Sequence, residues 1–82
     1  MPTEWILYIR PGCHLCEEAE EWLAVLAAEH GASLREFNIL GDPDVYERYK
    51  WQIPVLAIAE RQWEAPLDAA QIAAALRIQP GD

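Results

Sequence analysis

Cys13 and Cys16 are the only cysteines in the chain, and they sit three positions apart. A bridge between them closes so short a loop that restricting the unfolded chain would add little stability. A bond at this spacing makes sense through being made and broken. On a helix, residues three apart are neighbours at roughly 5–6 Å, within the Cα separation that a disulfide accepts. A helix N-terminus also offers free N–H groups and partial positive charge, which lower a thiol's pKa. In the apolar pattern that follows, Cys16 falls on the side of Ala19 and Leu23, while Cys13 stands at the open start. That asymmetry suits an attacking sulfur and a shielded resolving one. Two other readings stay open: incidental thiols near a helix start, or a metal site. Zinc asks for four ligands, and beyond His14 the remaining imidazole, His30, is at the far end of the helix.

The segments around the pair define what must hold it. Trp5-Ile6-Leu7-Tyr8-Ile9 is a nearly continuous apolar run and reads as a strand buried on both faces. Arg10-Pro11-Gly12 breaks it, and a helix is predicted over residues 13–30, with a stripe of Leu15, Ala19, Trp22, Leu23, Leu26 and Ala27. Glu17, Glu18, Glu20 and Glu21 lie largely off that stripe, near the helix start where the dipole favours negative charge. Residues 33–39 read as a second strand, parallel to the first across the helical crossover. Asp42 and Pro43 open a short second helix as N-cap and first helical residue. Residues 54–59 form a third strand, residues 62–64 pair back after a turn near Glu60-Arg61, and Asp68 caps a last helix built on Ile72 and Leu76. Residues 79–82 read as a short tail. The order is β-α-β-α-β-β-α, an α/β domain with a four-stranded mixed sheet flanked by helices, and residues 1–82 are expected to form one domain.

A C-x-x-C directly after the first strand of a βαβ unit is a recognised redox signature. The chain resembles a small glutaredoxin-like member of the thioredoxin superfamily, with a minimal thioredoxin fold. The resemblance is carried by residues 8–18, with their Gly12-Cys13-His14-Leu15-Cys16-Glu17 start, and by Gln52-Ile53-Pro54-Val55-Leu56. It implies that Cys13 is the nucleophile and Cys16 the resolving thiol of a dithiol thiol–disulfide oxidoreductase. It also implies that the Ile53–Pro54 bond is cis, with Pro54 facing the disulfide and the Ile53 backbone offered to an extended substrate. Arg10 stands where glutaredoxins often carry a lysine. Two positions depart from the family pattern. His14-Leu15 replaces the common Pro-Tyr, and Glu64-Ala65-Pro66-Leu67-Asp68 replaces the glycine pair that holds the γ-glutamyl end of glutathione.

The remaining candidates each have an ordinary structural role beside a functional one. His14 is an exposed helix-start residue or a tuner of the redox potential, and Arg10 a solvated strand end or a cation beside Cys13. Trp51 precedes Pro54 in a loop bordering the thiols and packs or touches substrate; Trp5 and Trp22 belong to the core. Arg48 and Lys50 are surface charges or receivers of a small thiol's carboxylate. The acidic helix start is a solvated face whose charge opposes a Cys13 thiolate and makes the couple more reducing.

Fourteen acidic against six basic residues give a net charge of −8. That opposes binding to nucleic acid or an anionic membrane. No apolar run is long enough to span a bilayer, and the start at Met1-Pro2-Thr3-Glu4 lacks the features of a secretory signal. A cytoplasmic monomer is therefore expected. Its substrate would be a disulfide in a protein or small thiol, and its reductant glutathione or a reductase protein. No organic cofactor and no metal are implied on this reading. The competing class is a non-catalytic thioredoxin-fold binding module, holding metal through Cys13 and Cys16 or serving as a protein-interaction scaffold.

Overall fold

The computed structural model describes residues 3–77. Strand β1 (Glu4–Ile9) leads into helix α1 (His14–Glu29), strand β2 (Ser33–Asn38), a 3-10 turn (Ile39–Gly41) and helix α2 (Pro43–Tyr49). Strands β3 (Val55–Ile58) and β4 (Arg61–Trp63) follow, then helix α3 (Ala69–Arg77). The sheet order is β2-β1-β3-β4. β1 runs parallel to β2 and antiparallel to β3, and β4 is antiparallel to β3. This is the β-α-β-α-β-β-α mixed sheet of the thioredoxin and glutaredoxin type. The tail read at 79–82 lies outside the described residues.

β1 is the axis of the structure, because its alternate residues serve opposite faces. Trp5 and Leu7 enter the larger core with Ala19, Leu23 and Ala27 of α1, Leu56 and Ile58 of β3, and Ile72 and Leu76 of α3. Tyr8 turns to the other face and packs against Ile39, Tyr49 and Val55 beneath α2. β1 is thus sealed on the α1/α3 face and half-covered on the α2 face, where Ile6 and Tyr8 keep some exposure. The reason is that α2 has only seven residues.

Each helix end is specified by its local sequence. α1 stops in a Schellman arrangement: Gly31, at φ +65°, donates its N–H to Ala28, and the Ala32 N–H reaches back to the Ala27 carbonyl at 2.8 Å. Asp42 caps α2 by accepting from the N–H groups of Asp44 and Val45 at 2.9 and 3.2 Å. Asp68 accepts from the Gln71 N–H at 3.1 Å, and Arg61 donates to the Ala75 carbonyl at the other end of α3.

Several boundaries and one side-chain placement differ from the sequence reading. Ile39 leaves the strand for the 3-10 turn, which Asn38 fastens by accepting from the Leu40 N–H. The β3–β4 turn falls at Ala59-Glu60, one residue early, because Ile58 pairs with Arg61. Ala59 then adopts a φ of 54°, a left-handed conformation that an alanine turn signal does not announce. Leu15, placed in the apolar stripe of α1, is 57% exposed. It lies in the first turn of α1, where it borders a surface groove instead of entering the core.

Candidate active site

The turn between β1 and α1 sets the thiols in place. Gly12 has a φ of +80°, and nothing lies within 4 Å of a Cβ built there, so glycine is required by conformation and not by space. The Cys13 N–H donates to the Arg10 carbonyl, and the Cys13 carbonyl accepts from the Glu17 N–H at 3.1 Å to start the helix. Cys13 is itself the N-cap of α1, with φ −87° and ψ 107°. Its sulfur takes the role usually given to a serine or aspartate oxygen, accepting the Cys16 N–H at 3.2 Å. The sulfurs are joined as a disulfide with a Cα separation of 5.2 Å. Cys16 is 2% exposed, whereas Cys13 is half-buried and reachable from solvent.

The other candidate residues spread around this bond unequally. Pro54 is buried and its bond to Ile53 is cis, as the resemblance implied. Ile53 packs under α2, and its N–H is committed to the Tyr49 carbonyl at 3.2 Å. Its carbonyl has no hydrogen-bond partner among the described residues, so of the Ile53 backbone expected to meet a substrate only that half is free. Arg10 is exposed, and its guanidinium makes no ion pair among the described residues. His14 points along α1 into acid, with Nε2 3.2 Å from Glu18 and Nδ1 3.9 Å from Glu17. Trp51 is 88% exposed, with the Lys50 ammonium 5.7 Å from its ring. Lys50 is itself paired with Glu47 at 3.0 Å, which competes with the receiving role considered for it.

Sequence reasoning missed a groove of about 100 Å³ that Leu15, from between the two cysteines, helps to line. Leu15, Ala19 and Trp22 of α1 form one wall, Pro54 another, and Ala65, Pro66 and Leu67 the third, with Glu18 at the mouth. Trp22, assigned to the core, instead divides itself between the core margin and this groove. The Ala65–Pro66 bond is also cis, and the Ala65 N–H ties its loop to the Gln52 carbonyl. The available signal was Pro66-Leu67 standing where the family pattern has its glycine pair.

The acidic residues of α1 do not act as one block. Glu20 faces β2, where it hydrogen-bonds to Glu36; that bond, partial burial and the Glu20 charge raise the Glu36 pKa to about 7. Glu17, Glu18 and Glu21 are exposed. On the opposite face, burial and the neighbouring Tyr49 push the Tyr8 phenol above its usual value, against the pull of Arg48. Among the described residues no group of three or more His, Cys, Asp or Glu side chains converges to hold a metal ion, and no helix is long and apolar enough to cross a membrane.

This sheet, with a cysteine pair at the mouth of its first crossover helix, defines a member of the thioredoxin superfamily. The family model of the glutaredoxin-like domain (DUF836) matches residues 4–77, and the chain belongs to that family. Two solved structures are similar to it. The structural-genomics protein XcR50 from X. campestris has 31% identity over 93% of this chain and 99% of its own, with a TM-score of 0.75. Protein Ne2328 from Nitrosomonas europaea, solved by NMR in solution, has 32% identity over 92% of each chain, with a TM-score of 0.76. No curated protein matches the chain.

Proposed function

We propose that the chain is a dithiol thiol–disulfide oxidoreductase in which Cys13 attacks and Cys16 resolves. In the reduced protein the Cys13 thiolate attacks one sulfur of a substrate disulfide. A bond forms from Cys13 to that sulfur, and the other substrate sulfur leaves as a thiolate that takes up a proton. Cys16, having lost its proton, then attacks the Cys13 sulfur, expels the second substrate thiolate and closes the internal bond. Two electrons pass from protein to substrate. Glutathione or a reductase protein returns them in a cytoplasmic setting, with the chain acting as a monomer.

The observation that carries this reading is the unequal exposure of two bonded sulfurs at one helix terminus, Cys13 reachable and Cys16 2% exposed. The amide that reaches the Cys13 sulfur would stabilise the thiolate once the bond opens. Arg10 adds positive charge to that end of the turn. Pro54 and the Ile53 carbonyl would steer an extended substrate across Cys13, with Trp51 at the edge.

Cys16→Ser tests the reading directly. Incubated with a disulfide substrate, this variant should accumulate a mixed disulfide through Cys13 that mass spectrometry locates. A variant that traps nothing, and that carries stoichiometric zinc or iron as isolated, would replace the redox reading with a binding module.

A further inference from the structure

We propose that the groove lined by Leu15 of the Cys13–Cys16 segment selects cysteinyl polypeptides with an aliphatic side chain next to the reacting cysteine and a lysine or arginine just beyond. The proposal rests on the exchange reaction above and names its substrate class. Leu15 lies between the two cysteines, so the groove begins inside the reacting loop. Its opposite side is Pro54, with Pro66 and Leu67 completing an apolar slot. A volume of about 100 Å³ suits one apolar side chain, and burying it there is favourable by the area it removes from water.

The mouth of the slot decides what flanks that side chain. Glu18 stands there, Glu17 and Glu21 are exposed on the same helix, and Glu64 immediately precedes Ala65 of the other wall. Among the described residues, no cation lines the groove. The nearest partner of Glu18 is His14, 3.2 Å away and itself exposed, so an incoming ammonium or guanidinium can share the same carboxylate. A cationic flank therefore complements the mouth, while the two carboxylates of glutathione meet like charge on a chain of net charge −8.

The test uses the full chain, reduced to the dithiol, in single-turnover reactions with symmetric peptide disulfides. The peptides carry Leu and Lys, Ser and Lys, or Leu and Glu beside the cysteine, and oxidised glutathione is the reference. The Leu/Lys peptide should react about tenfold or more faster than the Ser/Lys peptide, the range expected from filling or emptying one apolar pocket, and faster also than the Leu/Glu peptide and oxidised glutathione. Glu18→Lys should invert the preference between the Leu/Lys and Leu/Glu peptides. That ratio is taken on one variant, so any change in Cys13 reactivity cancels. Equal rates for all peptides, or oxidised glutathione as the fastest substrate, overturn the selectivity and leave the exchange reaction standing. A dithiol that reduces none of these disulfides overturns both.

Discussion

The Cys16 backbone N–H donates to the Cys13 sulfur at 3.2 Å, so the half-buried Cys13 caps the amide of its buried partner. On the proposed mechanism one residue would thereby supply both the resolving thiol and part of the field that favours a thiolate at the other. The reduced protein should react with one equivalent of iodoacetamide at Cys13 at least about tenfold faster than at Cys16. Peptide mapping reads this directly, and comparable labelling of both residues would contradict the assigned roles.

Glu17 and Glu18 set negative charge within the first turns of the same helix, with His14 between them. Their charge opposes a Cys13 thiolate and so disfavours the reduced form. Replacing both with glutamine should raise the potential of the couple by about 10–30 mV, since about 30 mV corresponds to 1.4 kcal/mol for two electrons. Equilibration in dithiothreitol buffers measures it. An unchanged potential would show that the acidic turn does not act on the thiols.

Leu23 and Val25 lie two residues apart on α1 in opposite environments, 0% and 61% exposed. Leu23→Ala removes a side chain from the centre of the larger core and should cost about 2–5 kcal/mol in urea unfolding. Val25→Ala should stay within about 0.5 kcal/mol. Equal costs would mean that α1 does not present this face to the sheet.

Glu36 keeps its proton to about pH 7 in the folded chain, because Glu20 and partial burial favour the neutral acid. The unfolded chain releases that proton near its ordinary value of 4.5. Stability contributed by this group is therefore full below pH 4.5, falls as pH rises to 7 and is flat above. Solvent screening at this mostly exposed pair holds the loss to about 1 kcal/mol. Glu36→Gln should be more stable than the parent at pH 8 and indistinguishable from it at pH 4.5. Urea midpoints at both values decide the matter, and an equal gain at each would point to a cause other than titration.

Much of this molecule is written locally. The apolar run of β1, the periodicity of α1 and the caps at Asp42 and Asp68 each depend on residues within a few positions, so element order follows from pattern alone. The asymmetry of Cys13 and Cys16 is of the same kind, because helical geometry places the first at the open end and the second toward Ala19 and Leu23. The groove is not local. Leu15, Pro54 and Leu67 are far apart in the chain, and they meet only because β1 pairs with β3 while the loop before α3 folds back to Gln52. The engagement of the Ile53 N–H by Tyr49 and the Glu20–Glu36 contact likewise exist only after the layers pack. By itself the chain determined where the two candidate sulfurs stand and how the elements follow one another. Tertiary structure decided what surrounds them, because exposure and non-local contact are properties of packed surfaces and not of sequence neighbours.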